Sequence, residues 1–67
     1  MTNKDMLEEY IEKSGYKKGF IAKKIGITRY AFILKINNKS EFKATEIKTL
    51  CTLLNIGVEE RTAIFFA

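Results

Sequence analysis

The chain has 67 residues, 46% hydrophobic and 30% charged, with a formal net charge of +4 and neither histidine nor proline. This length predicts one small domain, residues 1–67, that buries only about 60% of its unfolded surface. A single cysteine excludes an internal disulfide and, without histidine, argues against a structural zinc site; no apolar run approaches the roughly 18 residues of a membrane span. The composition therefore favours a reduced, cytoplasmic protein without a cofactor.

The first predicted element is an amphipathic helix over residues 4–13. Asn3 can cap it, Asp5 suits the positive end of its dipole, and apolar residues recur at spacings of three and four. The pair Ser14-Gly15 is expected to end it.

Two further helices are predicted over residues 18–25 and 29–37. Gly26 follows the last turn of the first, where a left-handed residue commonly closes a helix, and Thr28 can cap the second. Asn38 is the expected stop, because asparagine tolerates the left-handed conformation better than other non-glycine residues.

The C-terminal part predicts helices over 44–54 and 58–65, with Phe42 as a buried anchor in the preceding loop. Three residues of the last helix are expected to face the core: Val58, Ile64 and Phe65. Cys51 fits a small core hydrophobe. The apolar Phe66-Ala67 either packs on the core, forms an interface, or marks a cut in a longer chain.

Charge is distributed unevenly along the chain. Residues 13–40 hold eight of the twelve basic residues and none of the eight acidic ones. Such a one-signed segment would form a positive patch if it folds compactly, although most charge runs are simply solvated surfaces.

The segment 18-KGFIAKKIGITRYAFILKINN-38 resembles the helix-turn-helix of the phage Cro and repressor class (XRE-like) of DNA-binding domains. The residues that carry the resemblance are Ile21, Ala22, Ile25, Gly26, Ile27 and Phe32. The resemblance implies an all-α, lambda-repressor-like fold of five short helices, with the helix-turn-helix at the second and third. It covers nearly the whole chain.

Three positions depart from the family pattern. Asn38 stands where glycine is usual, and Lys17 stands at an N-cap that is often threonine or serine. Lys35 occupies a position that is often apolar; its stem could pack while its ammonium reaches solvent or phosphate.

The resemblance also implies that the third helix lies in the major groove of double-stranded DNA. Phe32 and Ile36 would then point inward, and the residues expected to meet the bases are Arg29, Tyr30, Ile33 and Leu34. Arginine suits guanine, the aliphatic side chains suit thymine methyls, and Tyr30 could meet a base or a phosphate. The residues expected at the sugar–phosphate backbone are Lys17, Lys18, Thr28, Asn37 and Lys39.

A purely structural role is the alternative interpretation of these residues. The lysines could be solvated, and a rotated helix would place one of the three apolar residues Tyr30, Ile33 and Leu34 in the core. No catalytic set can be built from a chain with no histidine, one cysteine and no converging carboxylates, so an enzyme is not expected.

Two functions follow from the resemblance. One is a phage-type transcriptional regulator that binds an operator as a homodimer, in a lysogeny switch. Its dimer contacts would come from the C-terminal residues Val58, Ile64, Phe65 and Phe66. The other is a small modulator, a co-repressor or anti-repressor, that binds a partner repressor through the apolar strip of the third helix.

Overall fold

Five short helices form all the regular structure of residues 1–66, the part of the chain that this computed structural model describes. They are α1 (Lys4–Ser14), α2 (Lys18–Ile25), α3 (Arg29–Ile36), α4 (Ala44–Leu54) and α5 (Val58–Phe65). No strand occurs within that range, so the all-α prediction is confirmed. None of the described helices is both long and apolar enough to cross a membrane.

Local capping signals set the helix ends. The Asn3 side chain accepts a hydrogen bond from the Met6 N–H at 3.2 Å, which satisfies one of the donors left open at the start of α1. Gly15 ends that helix in the left-handed conformation, with φ of 74°. The predicted boundaries are therefore correct to within one residue for every helix.

A three-residue turn joins α2 to α3. Gly26 closes α2 with φ of 83°, and Ile27 donates its N–H to the Ala22 carbonyl at 3.0 Å. Thr28 then starts α3, since its Oγ1 accepts the Ala31 N–H at 3.1 Å. After α3, Asn38 takes the left-handed conformation with φ of 61°, as predicted.

Every helix contributes at least one fully buried side chain to a single core. These side chains are Leu7, Ile21, Phe32, Ile36, Leu50 and Ile64. Helices of 8 to 11 residues are marginal in isolation, so this shared core holds them in place. Cys51 is also buried there, and burial raises the pKa of its thiol although Arg61 acts in the opposite direction.

Phe42 anchors the loop between α3 and α4. It is half-buried, and its ring meets Phe32 edge-on at 6.0 Å and Phe65 edge-on at 5.5 Å between ring centroids. The predicted anchor is therefore present, although its ring keeps some contact with solvent.

Val58 was predicted to face the core, and this is wrong: the side chain is 70% exposed. Ile56 enters the core just before α5, so the first turn of the helix lies outside it. Ile64 and Phe65 are buried, as predicted, and so cannot also supply exposed dimer contacts. Phe66 is exposed, and the prediction for Ala67 lies outside the described residues.

The prediction that the Lys35 ammonium reaches solvent or phosphate is also wrong. Lys35 is buried, and its Nζ donates to the Glu46 carboxylate of α4 at 2.9 Å and to the Glu41 carbonyl at 3.1 Å. The same carboxylate accepts the Lys43 N–H at 2.9 Å. Burial alone would raise the pKa of Glu46, but these hydrogen bonds and the two lysine charges outweigh it and hold the pKa below its ordinary value.

We expect Glu46→Gln to lower the free energy of unfolding by about 3 kcal/mol, because it leaves the buried Lys35 ammonium without a counter-charge. Urea unfolding at neutral pH measures the loss. Glu41→Gln is the matched control, since Glu41 is exposed and only its backbone carbonyl meets Lys35. An equal loss in both variants would contradict a specific role for the pair.

The Lys35–Glu46 pair also makes the free energy of unfolding depend on pH. A carboxyl whose pKa is lowered in the folded state stabilises the fold above its unfolded pKa of about 4, and that stabilisation is lost as the pH falls. The difference between the native chain and Glu46→Gln should therefore shrink below about pH 4. A difference that stays constant down to pH 2 would show that the carboxylate charge is not responsible.

Candidate functional site

The outer face of α3 is an exposed surface within the basic segment, residues 13–40. Phe32 and Ile36 point into the core, while Arg29, Tyr30 and Asn37 are exposed, Tyr30 by 72%. The outward direction expected of these three residues is therefore observed. A helix anchored on one side and exposed on the other can present side chains to a partner as a rigid element.

Ile33 and Leu34 are not as exposed as predicted. Both are half-buried, and neither belongs to the core cluster or to the partly buried side chains that pack on it in residues 1–66. They are therefore neither core residues nor fully outward-facing ones. Beside the exposed Tyr30 they leave an apolar area on the surface of α3.

Two predicted backbone-contacting residues use part of their hydrogen-bonding capacity within α3. Thr28 accepts the Ala31 N–H, which leaves its hydroxyl proton able to donate to an anion. Asn37 folds back along its helix, with Nδ2 donating to the Ile33 carbonyl at 3.0 Å. Only the second proton of that amide remains for an external acceptor.

Lys17 and Lys39 are both exposed, at opposite ends of this region. Lys17 is the N-cap of α2, and no side chain caps that helix within the described residues. Its first turn also carries no acidic residue. The N-terminal N–H groups of α2 can therefore bind an anion together with the Lys17 ammonium.

Lys18 is the predicted site residue whose surroundings differ most from expectation. Its Nζ lies 3.1 Å from Glu8 Oε2 of α1, and each side chain is one-third exposed. A phosphate would have to compete with this carboxylate for the ammonium. Sequence reasoning missed Glu8, because the two residues are ten positions apart on separate helices and no local pattern predicts that they meet.

Gly19 is a second residue that the sequence analysis did not single out. A Cβ atom built at this position would lie 3.6 Å from Cδ of Arg29, so the arginine stem runs beside α2 at the glycine. Arg29 is thus held near the N-terminal turn of α2.

The basic segment keeps most of its charge at the surface. Two of its eight cations, Lys18 and Lys35, are paired with carboxylates of other helices. The remaining six are exposed: Lys13, Lys17, Lys23, Lys24, Arg29 and Lys39. These six cations give the surface of the segment a net positive charge, and each attracts anions over roughly one Debye length, about 8 Å at physiological salt.

Comparison with protein-family models, with curated proteins and with solved structures finds no match to this chain.

We expect Ile33→Asp to cost at most about 1 kcal/mol of unfolding free energy, because the side chain lies outside the core. Phe32→Ala should cost about 3–5 kcal/mol, since the neighbouring ring is fully buried. Thermal and urea unfolding of the two variants measure both values. If Ile33→Asp unfolds the domain, Ile33 is a core residue and α3 presents a different face.

Proposed function

We propose that the protein is a sequence-specific DNA-binding transcriptional regulator, with α2 and α3 as a helix-turn-helix that acts on an operator. The observation that carries this proposal is the outer face of α3, where Arg29 and Tyr30 are exposed while Phe32 fixes the opposite face in the core. An exposed helix of this size fits the major groove. The resemblance of residues 18–38 to phage Cro and repressor proteins supports the same function.

In this proposal α3 reads bases through two kinds of contact. Arg29 donates two hydrogen bonds to the O6 and N7 atoms of a guanine. Ile33 and Leu34 have no hydrogen bonds to give and pack on thymine methyl groups, for which half-exposed aliphatic side chains are sufficient. Tyr30 lies between the two and contacts a base edge or a phosphate.

Phosphate contacts set the position of α3 in the groove. Lys17 and the open N–H groups of α2 bind one phosphate, and the Thr28 hydroxyl donates to the same strand. Lys39 and the remaining Asn37 proton serve the other end of the helix. Lys18 joins them only when it leaves Glu8.

One short recognition helix reads few base pairs, so a pseudo-palindromic operator and a homodimer are part of the proposal. The exposed Val58 and Phe66 are the C-terminal candidates for the dimer contact, at 70% and 63% exposure. A lysogeny switch is the setting that the resemblance to phage regulators suggests.

A second candidate function is that of a modulator that binds a partner repressor, as a co-repressor or anti-repressor. The observation that favours it is the apolar area of α3 formed by Tyr30, Ile33 and Leu34, because base-reading helices usually carry more amide and hydroxyl groups. In that case Leu34→Asp should abolish a protein complex while the fold is retained.

The first experiment is a salt titration of binding to duplex DNA from the region flanking this protein's own gene, beside a shuffled duplex. Selective binding with a log–log slope of about −4 to −6 per subunit fits contacts to several phosphates. Equal and weak binding to both duplexes would contradict the operator proposal and direct attention to a partner repressor.

We expect Arg29→Ala to cost about 1–3 kcal/mol on the preferred duplex and to relax the base preference at one position. Competition binding with a set of single-base variants of the duplex measures both effects. Arg29→Lys is the matched control, since it keeps the charge and loses the bidentate geometry. An equal loss on preferred and shuffled DNA would show that Arg29 meets the backbone instead.

We expect Glu8→Gln to strengthen binding to every duplex, because it releases Lys18. The log–log slope of affinity against salt should become steeper by up to about one unit, which corresponds to one more phosphate contact. Lys18→Ala should do the reverse. Glu9→Gln, an exposed neighbour on the same helix, controls for the change in net charge. If the two glutamine variants behave alike, Lys18 makes no phosphate contact.

A further inference from the structure

A second candidate surface lies on the side of the molecule formed by α2 and α4, and none of its lining residues belongs to α3. Its first part is a shallow groove whose lining residues are Lys24, Thr45, Lys48, Thr49, Thr52 and Leu53. An adjoining groove between α1 and α4 contains Tyr10, Lys13 and Tyr16 and shares Leu53 with the first. We call the two together the α2–α4 face.

The floor of the first groove is apolar although threonines line it. Thr49 and Thr52 donate their hydroxyl protons to helix carbonyls, those of Thr45 and Lys48, at 3.1 Å each. With their donors used inside α4, these side chains present mainly methyl groups to the groove. Leu53 is half-buried and adds its own apolar surface at the centre.

Exposed aromatic rings connect the two grooves: Tyr16 lines the second groove, and Phe20, which lines neither, lies between Tyr16 and Lys24 and is counted as part of the face. Tyr16 and Phe20 are 41% and 43% exposed, and their ring centroids lie 5.0 Å apart. Lys24 Nζ stands 5.4 Å from the Phe20 ring and Lys13 Nζ stands 5.7 Å from the Tyr10 ring. Aromatic rings left this exposed on so small a domain are typical of interface residues.

The charge of the face is one-signed. Lys13, Lys24 and Lys48 are exposed around the grooves, and no carboxylate lines either groove among the described residues. Exposed acids elsewhere on the chain show that this is a local property. A partner that covers the apolar floor must therefore bring carboxylates to the three ammonium groups.

We propose that the α2–α4 face binds a short acidic segment of a partner protein, one that alternates aspartate or glutamate with leucine or aromatic side chains. Apolar side chains of that segment cover Leu53 and the Tyr16–Phe20 pair, and its carboxylates meet Lys13, Lys24 and Lys48. A protein segment fits better than duplex DNA, because a duplex keeps its bases stacked inside and its phosphate backbone gains nothing from an apolar floor. This proposal does not depend on DNA binding by α3.

The test is to select peptides that bind the full chain from a displayed library of random sequences, with all amino acids equally represented. We expect the selected peptides to be enriched in acidic and in large apolar residues, and to bind more weakly as salt is raised. Binding of the best peptides to Lys24→Glu/Lys48→Glu and to Phe20→Ser should fall by at least about tenfold. Circular dichroism confirms that each variant is folded.

Two matched controls separate this face from α3. Lys23→Glu changes an exposed cation of α2 that lines neither groove, and Tyr30→Ser changes the exposed ring of α3. Tyr30→Ser should leave peptide affinity within about twofold of the native value, because this ring lines neither groove. Lys23→Glu changes only the general field beside Lys24 and should lower the affinity clearly less than the single change Lys24→Glu does. Duplex binding by the same proteins tests the α3 proposal separately, so the failure of either proposal is distinguishable.

Several results would overturn the proposal. They are a selection that yields no binders, peptides without an acidic bias, and affinity that the charge-reversed variant retains. Loss of binding in Tyr30→Ser would assign the peptide to α3 instead. Competition by single-stranded or duplex DNA that depends on Lys24 and Lys48 would make nucleic acid the occupant. If the native chain self-associates in sedimentation and Phe20→Ser does not, the occupant of the face is a second copy of this chain.

Discussion

The placement of α3 depends on a charge pair that is almost removed from water. Lys35 and Glu46 join α3 to α4, and each makes one further hydrogen bond, Lys35 Nζ to the Glu41 carbonyl and Glu46 Oε1 from the Lys43 N–H. A hydrophobic pair of the same volume could pack equally well and would often be more stable. We interpret the pair as a constraint on direction, because Lys35 keeps both of its hydrogen bonds only while α3 turns this face towards α4.

That rotation decides which side chains the helix can offer. Phe32 and Ile36 fill the core and Lys35 reaches α4, so three neighbouring positions are committed to the interior. An eight-residue helix then has few positions left. Ile33 falls beside the buried face, whereas Leu34 is four residues from Tyr30 and shares its outward side. Both make the surface of α3 more apolar than a face chosen only for hydrogen bonding.

Sequence reasoning predicted the helices well because their ends are set locally. Asn3, Gly26 and Thr28 act within four residues of their own position, so the spacing of apolar residues and caps was sufficient. The errors concern contacts between helices. The position of Lys35 depends on Glu46 of α4, and that of Lys18 depends on Glu8 of α1. Val58 is exposed although Ile56, two residues before it, is buried in the core. None of these relations can be read from the local sequence.

The two proposed surfaces share α2, and this has a consequence for how they would act together. Gly19 lies beside Arg29 of α3, while Lys24 lines the groove with α4 and stands near the Phe20 ring. At low ionic strength, where the Debye length approaches the width of the domain, an acidic segment bound on the α2–α4 face would lower the potential that attracts DNA to the α3 face. The coupling needs no movement of the fold, it is reciprocal by linkage, and it is largely screened at physiological salt. An acidic partner would then oppose DNA binding through the field alone, and raising the salt would remove that opposition.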